Sequence, residues 1–238
     1  MAEVIVALDV PSRDRAHELI DRLGDEVDFV KVGLELYTRE GPEVVRGLRS
    51  RGLRVFLDLK LHDIPRTVEH AVLASAELQV DFLTLHATGG RRMVEAASRA
   101  AEASGLRLLA VTALTSLSAA ELAEAWGRPM VDPRTEVLRL ARLAMDAGAS
   151  GVVASPLEAR TLRGALGPTP PIVTPGIRLA SDSSHDQVRV ASPAEAVAAG
   201  ADHLVVGRSV TAHADPPQAM REIRRQASEG QGALEVLG

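Results

Sequence analysis

The sequence predicts an α/β protein built as a single (β/α)8 TIM barrel. Short runs rich in β-branched residues and leucine alternate with longer helical patterns along the chain, which implies a parallel sheet. Eight such units share 238 residues, about 30 residues each, and this spacing matches a compact barrel. No linker-like composition interrupts the alternation. We therefore expect one domain over residues 1–238, ending in a loosely attached tail over residues 228–238.

The predicted strands are short apolar runs, and they occupy residues 4–8, 28–32, 54–59, 81–86, 107–114, 150–154, 171–174 and 203–206. A doubly wound open sheet is the competing architecture for alternating strands and helices. That fold usually has fewer strands, and the glycine-rich dinucleotide loop that follows its first strand is missing from this sequence. The alternation therefore favours the barrel.

The predicted helices follow the strands and occupy residues 12–23, 42–51, 67–78, 91–103, 135–147, 157–166, 193–199 and 209–226. Serines stand where helix N-caps belong, namely Ser12, Ser118, Ser155 and Ser192. Glycines stand where helices are expected to end, namely Gly24, Gly52, Gly105, Gly148 and Gly200.

Two loops are longer than the other connections between strands and helices. Residues 116–134 carry the only tryptophan, Trp126, and a short helical piece that begins at Ala119. Residues 176–191 are polar and exceed the usual connection length in α/β units. Long loops of this kind often close over ligands, so we predict a lid, with a plain surface loop as the alternative.

Composition argues against several classes of function. A net charge of −5 and 2% aromatic residues disfavour a nucleic-acid surface. The absence of cysteine excludes disulfides and thiolate metal sites and fits a cytoplasmic protein. No apolar run approaches the ~20 residues of a membrane span, and the N-terminus resembles a strand rather than a signal peptide. Histidines do not cluster at metal-ligand spacing, so we expect no metal site.

The chain contains only two lysines, Lys31 and Lys60, among its 27 basic residues. Both lie at the ends of strand-like runs, where a merely solubilising charge would not be expected. Alternation along the third strand puts Asp58 and Lys60 on one face, and the same parity puts Asp9 and Lys31 inward on the first two strands. Three adjacent strands thus deliver four charges to the carboxyl-terminal rim, where barrel enzymes act. A buried ion-pair network is the alternative.

A lysine held between aspartates has its ammonium form stabilised. This environment suits a proton donor to a developing carbanion better than a Schiff-base amine, which must be neutral to attack a carbonyl. Opposite these charges, glycine and arginine follow the seventh and eighth strands, at the recurrent phosphate position of this fold. The candidate anion-binding residues are Arg178, Gln187, Gly207 and Arg208, and a helix cap beside a surface arginine is the alternative.

Three further residues near this rim remain ambiguous. Asp63 precedes Ile64-Pro65 and fits equally well as a helix cap and as a catalytic group. His62 is expected to make a local loop contact. His86 either lines the mouth of the barrel or is a satisfied core histidine.

The segment Asp58-Leu-Lys-Leu-His-Asp-Ile-Pro65 resembles the core motif of the orotidine 5′-phosphate decarboxylases of the compact bacterial type. The resemblance extends in the right order over Ala7-Leu-Asp9, Val30-Lys-Val-Gly33, Leu114-Thr-Ser116, Pro175-Gly-Ile-Arg178 and Val206-Gly-Arg-Ser209. It implies a homodimeric barrel that converts orotidine 5′-monophosphate to UMP, the last step of de novo pyrimidine synthesis, without metal or cofactor. Only the loop over residues 126–133 has no evident counterpart.

The resemblance also implies individual roles. Lys60 would donate the proton to C6, Asp58 would stand beside the departing CO2, and Lys31 and Asp9 would hold the ribose hydroxyls. The remaining implied contacts are Thr115 with the pyrimidine edge, Asp63 and Thr67 with the partner subunit's site, and Arg178, Gln187, Gly207 and Arg208 with the phosphate.

Three alternative functional interpretations remain open. One is a Mg²⁺-dependent sugar-phosphate decarboxylase or aldolase with a similar Asp-x-Lys-x-x-Asp core. The second is a barrel that binds a nucleotide phosphate without catalysis. The third is a Schiff-base aldolase using Lys60.

Overall fold

Eight parallel strands close into a barrel in strict sequence order, and the first strand pairs with the last. The structure is a computed structural model that describes residues 2–180 and 190–237, with side chains described as far as residue 232. The strands are β1 (Glu3–Ala7), β2 (Phe29–Gly33), β3 (Arg54–Leu61), β4 (Phe82–His86), β5 (Arg107–Val111), β6 (Gly151–Val153), β7 (Ile172–Thr174) and β8 (His203–Val206). The predicted (β/α)8 fold is confirmed, and the open sheet is excluded because no strand is left at an edge among the described residues.

Helices cover the outside of this barrel. They are α1 (Arg13–Leu23), α2 (Leu34–Glu40), α3 (Pro42–Ser50), α4 (Pro65–Ala76), α5 (Arg91–Glu102), α6 (Ala119–Ala125), α7 (Pro133–Asp146), α8 (Pro156–Leu166), α9 (Pro193–Ala198), α10 (Arg208–Thr211) and α11 (Pro216–Leu237). Helix α2 was not predicted, because it starts directly after β2 without a capping side chain at Gly33. The predicted helix over residues 209–226 is divided into α10 and α11.

The predicted serine caps are confirmed at all four positions. Ser12, Ser118, Ser155 and Ser192 each accept a hydrogen bond from a backbone N–H in the first helical turn. At Ser118 and Ser192 a glutamate three residues later bonds back to the cap and completes a capping box. These local bonds satisfy N–H groups that have no partner inside the helix, so the helix starts are encoded locally.

Apolar side chains fill the interior of the barrel and the layer between strands and helices. Inside the barrel, Phe29, Phe56 and Phe82 are fully buried and their rings meet at tilted or edge-on angles. His203 closes the amino-terminal end beside them. These residues pack the amino-terminal part of the barrel interior, so a ligand is expected at the carboxyl-terminal end.

The predicted tail over residues 228–238 begins within the last helix. Helix α11 continues through this segment to Leu237. Gly230 is buried against α9, and a Cβ atom at this position would lie only 2.4 Å from the carbonyl oxygen of Ala194. The small glycine thus lets the two helix backbones approach closely, while the loose attachment of residues 228–238 stays a prediction.

Both of the long loops contain defined structure among their described residues. Helix α6 occupies part of residues 116–134, as predicted, and Trp126 packs beneath it against two apolar clusters. At the predicted lid, Arg178 N–H donates to Ala191 O at 3.0 Å, and Ala191 N–H donates to Gly176 O at 3.2 Å. The two ends of the loop are thus tied together, while residues 181–189 lie outside the described residues.

Candidate active site

A cavity of about 440 Å³ opens at the carboxyl ends of the strands. Eight predicted site residues line it, namely Asp9, Lys31, Asp58, Lys60, Thr115, Arg178, Gly207 and Arg208. They come from both sides of the barrel, because every parallel strand ends at the same rim. The convergence inferred from strand parity is therefore present in the structure.

Four of these residues form an alternating row of charges. Lys31 Nζ lies 3.0 Å from Asp9 Oδ1 and 3.6 Å from Asp58 Oδ2. Lys60 Nζ lies 2.8 Å from both Asp58 Oδ1 and Asp58 Oδ2. Each internal charge of the row thus has an opposite charge on either side, which offsets the cost of removing it from water.

Burial varies strongly along this row. The side chains of Lys31 and Asp58 are 11% and 13% exposed, whereas those of Lys60 and Asp9 are 30% and 65% exposed. Burial by itself raises the pKa of Asp58, but the charges of Lys31 and Lys60 and hydrogen bonds from Lys60 and Thr84 outweigh it. The pKa of Asp58 is therefore lower than its ordinary value, and this carboxyl is an anion at neutral pH.

A glycine makes room for the buried ammonium. A Cβ atom at Gly33 would lie 3.0 Å from Lys31 Nζ and 3.4 Å from Asp9 Oδ1. Both distances are at or inside ordinary van der Waals contact, so any larger residue would press on this ion pair. Gly33 ends β2, and its lack of a side chain lets Lys31 turn back toward Asp9.

Lys60 departs from regular strand geometry. Its φ angle is +50°, a left-handed conformation that costs a residue other than glycine on the order of 1–3 kcal/mol. The pairing of β3 with β4 shifts here, because Leu57 pairs with Leu83 and Leu61 with Leu85. Simple alternation placed Lys60 on the correct face but did not predict this bulge.

Thr84 is the site residue that sequence reasoning missed. It is fully buried in β4, opposite the bulge, and its Oγ1 atom is 2.9 Å from both Lys60 N and Asp58 Oδ1. A signal was present in the sequence: the parity that turns Phe82 inward also turns Thr84 inward, beside the last residues of β3.

The two histidines near the rim face each other. The ring centroids of His62 and His86 are 5.4 Å apart. Burial lowers the pKa of His86, as do the charges of His62 and Lys60, while Asp58 acts in the opposite direction. His86 is half-buried and is not among the described residues that line the cavity, which favours the core-histidine interpretation.

On the far side of the cavity, two arginines follow β7 and β8. Arg178 Nη1 lies 3.5 Å from Ser209 Oγ, and Ser209 Oγ donates to Ile177 O at 3.2 Å. Gly207 immediately precedes α10, and Arg208 is its first residue. The arrangement combines guanidinium groups with free space, as an anion-binding pocket requires.

Three predicted residues are not brought into this cavity. Asp63 does not cap α4: the N-cap is Ile64, and Asp63 Oδ1 instead accepts from Ile64 N–H at 2.7 Å. The cap hypothesis for Asp63 is therefore wrong. Asp63 and Thr67 are exposed, and neither is among the cavity-lining residues of the described chain. Gln187 lies outside the described residues.

Within residues 2–180 and 190–237, no group of three or more histidine, aspartate or glutamate side chains is placed to hold a metal ion. None of the helices in the same ranges combines the length and apolarity needed to cross a bilayer.

A closed barrel with a charged cavity at the carboxyl ends of its strands defines a (β/α)8-barrel enzyme. More specifically, the chain belongs to the family described as Orotidine 5′-phosphate decarboxylase / HUMPS, whose model matches residues 2–223. The resemblance inferred from the motifs is thereby confirmed at the level of the family.

Similar proteins include an orotidine 5′-phosphate decarboxylase of Anaeromyxobacter dehalogenans, 51% identical over 92% of this chain and 96% of the relative. A protein of the same name from Fusobacterium nucleatum is 43% identical over 98% of this chain and 99% of the relative. Among solved structures, the orotidine 5′-phosphate decarboxylase of Lactobacillus acidophilus superposes with a TM-score of 0.84 at 37% identity, covering 95% of this chain and 99% of the other.

Proposed function

We propose that this protein is a carboxy-lyase that converts orotidine 5′-monophosphate to UMP, the last step of pyrimidine synthesis. Relatives that match nearly the whole chain are orotidine 5′-phosphate decarboxylases, which supports this activity. The observation that carries the chemistry is the pair formed by Lys60 Nζ and both oxygens of the buried Asp58 carboxylate. The chemistry is a decarboxylation in which the ammonium supplies a proton.

In this reaction the bond between C6 and the carboxylate carbon breaks, and its electron pair stays on C6. Lys60 donates a proton from Nζ to that carbon, and CO2 leaves. The neutral amine is then reprotonated from solvent, because Lys60 is 30% exposed at the mouth of the barrel. A fixed cation beside the developing anion lowers its energy without reorganisation at the moment of reaction.

Asp58 has a second role in this proposal. Its lowered pKa keeps it anionic, so it holds Lys60 in place before substrate arrives. In the complex it stands beside the substrate carboxylate, and the repulsion between the two anions is relieved as CO2 departs. The electrostatic stabilisation by Lys60 is the larger contribution, since a preorganised charge acts directly on the transition state.

Other cavity residues bind the rest of the nucleotide. Lys31 and Asp9 contact the ribose hydroxyls, and Thr115 contacts the pyrimidine edge. The phosphate binds between Arg178, Gly207 and Arg208, across the cavity from Lys60. Gln187 joins them when the loop over residues 176–191 closes as a lid. Binding energy from this remote group helps to organise the reacting end.

A second copy of the chain completes the site in this proposal. Ile64, which immediately precedes α4, is 67% exposed, and Asp63 and Thr67 are exposed beside it. Such a patch at the rim of the cavity suits a homodimer in which Asp63 and Thr67 reach the neighbouring site. We place this dimer in the cytoplasm, with each chain acting as one barrel domain and no cofactor.

The proposal is tested by following the absorbance of orotidine 5′-monophosphate after exhaustive metal removal. Turnover that is insensitive to EDTA supports it, whereas restoration by Mg²⁺ alone would support a metal-dependent decarboxylase or aldolase. Binding of UMP without turnover would support a non-catalytic barrel. Borohydride should trap no substrate on Lys60, since a paired ammonium is a poor Schiff-base nucleophile.

A further inference from the structure

The left-handed backbone of Lys60 is hydrogen-bonded to a side chain of the neighbouring strand. Between the pairs Leu57–Leu83 and Leu61–Leu85, β3 contains three residues while β4 contains only Thr84. Strand β3 therefore bulges at the position that carries the proposed proton donor. The N–H of Lys60 donates to Thr84 Oγ1 at 2.9 Å, which anchors the left-handed residue to the neighbouring strand.

The same hydroxyl also holds Asp58. Thr84 Oγ1 lies 2.9 Å from Asp58 Oδ1, and an ionised carboxylate can only accept a hydrogen bond. A hydroxyl has a single hydrogen, and Lys60 N–H is itself a donor. The single hydrogen of Thr84 must therefore point at Asp58, while its lone pair receives the N–H of Lys60. The donor and the acceptor of both hydrogen bonds are therefore known as long as Asp58 remains anionic.

We propose that Thr84 is a positioning residue that sets the carboxylate of Asp58 and the backbone of Lys60 in register for proton transfer. This inference rests on the proposed function. Thr84 is fully buried and is not among the described residues that line the cavity, so it acts through Asp58 and Lys60 rather than on substrate. A hydroxyl at this point links the carboxylate to the strained residue that carries the ammonium.

The decisive variants are Thr84→Val and Thr84→Ser. Valine keeps the shape and removes both hydrogen bonds, whereas serine keeps the hydroxyl. We expect Thr84→Val to lower kcat about 10- to 100-fold, because small misplacement of reacting groups is costly, with KM changed less than about threefold. Thr84→Ser should stay within about threefold of wild type in kcat.

Thr174→Val is the matched control. Thr174 is also fully buried in a barrel strand, but within the described part of the chain its hydroxyl has no hydrogen-bond partner. Removing that hydroxyl should leave kcat and KM unchanged. If Thr84→Val and Thr174→Val behave alike, Thr84 has no positioning role.

The pH profile separates positioning from loss of folding. Without the hydrogen bond from Thr84, the pKa of Asp58 should rise, so the low-pH end of the kcat profile should move to higher pH in Thr84→Val. An active wild type with an unchanged Thr84→Val profile and kcat would overturn this inference alone. An inactive wild type would instead overturn the proposed function, and circular dichroism of each variant verifies that it is folded.

Discussion

Lys60 Nζ is equidistant, at 2.8 Å, from the two carboxylate oxygens of Asp58, the residue two positions earlier on the same strand. In a regular strand, side chains two positions apart share a face but extend in parallel away from the backbone. The left-handed conformation of Lys60 changes that direction and brings the ammonium over the carboxylate. The pair is thus a product of local backbone geometry, and it defines the reacting end of the cavity.

Replacing Lys60 with alanine should lower kcat by about 100- to 10,000-fold, the range typical of a general acid. Lys60→Arg is the informative companion, because arginine keeps the charge but does not release its proton. Both variants should be nearly inactive in the decarboxylation assay, while UMP binding followed by calorimetry persists. Substantial activity in Lys60→Arg would argue for a purely electrostatic role.

A larger residue at Gly33 should lower activity more than stability, because it disturbs the charged row of Asp9, Lys31, Asp58 and Lys60. In Gly33→Ala the added methyl group would meet Lys31 Nζ at 3.0 Å, and only the flexible end of that side chain must move. We expect at least a tenfold loss in kcat/KM, judged from the general cost of misplacing groups in an active site, with little change in Tm.

Gly164→Ala in α8 is the matched control for this change. A Cβ atom at Gly164 meets nothing within 4 Å, and alanine is the better helix former. Activity should be unchanged, and stability should rise by about 0.5–1 kcal/mol. Equal activity in the Gly33 and Gly164 variants would contradict the proposed close approach at Lys31.

Removing the guanidinium of Arg208 should weaken binding of the phosphate and, through it, the organisation of the reacting end. We expect Arg208→Ala to raise KM by about tenfold or more, since a charged hydrogen bond contributes about 1.5–3 kcal/mol. The control is orotidine, the nucleoside without its phosphate, on which wild type and variant should act equally slowly. A variant that is impaired on orotidine as well would place Arg208 in another role.

The buried histidine at the closed end of the barrel predicts a pH dependence of stability. Burial lowers the pKa of His203 and Arg107 does so weakly, against the opposing charges of Glu3 and Asp202. The folded state therefore favours the neutral imidazole. The contribution of His203 to the free energy of unfolding is complete above about pH 6.5, the ordinary pKa of histidine in an unfolded chain. It is lost progressively as the pH falls toward the lower pKa of the folded state.

Urea denaturation at pH 7.5 and 5.5 measures this effect. The free energy of unfolding should fall more in wild type than in His203→Gln, because only wild type carries at this position a group whose pKa is lowered by folding. His203→Gln cannot titrate, so other groups cancel in the comparison. Identical pH dependence in both proteins would show that His203 titrates alike in the folded and unfolded states.

The proposed dimer makes a prediction about two exposed apolar side chains. Ile64 is 67% exposed beside Asp63, and Met130 is 79% exposed before α7. Ile64→Glu should shift the sedimentation coefficient to that of a monomer and reduce activity, whereas Met130→Glu should change neither. Retention of the wild-type coefficient in Ile64→Glu would place the interface elsewhere.

The barrel, the helix caps and the meeting of four charged residues at one rim could be predicted from the sequence, the four being Asp9, Lys31, Asp58 and Lys60. These features depend on short-range rules. Strands followed by helices produce parallel pairing, period two selects a face, and parallel strands end together. Serine caps likewise act within one helical turn.

Three features became visible only in three dimensions, namely the bulge at Lys60, the contacts of Thr84 and the absence of a capping bond from Asp63 to α4. Each depends on a partner that comes from elsewhere in the chain or on an exact turn of the backbone. Thr84 lies 24 residues after Lys60, and its hydroxyl becomes relevant only because β3 shifts register against β4. A one-dimensional pattern specifies which face a side chain takes, but the offset between two strands is set by the packing of the whole barrel.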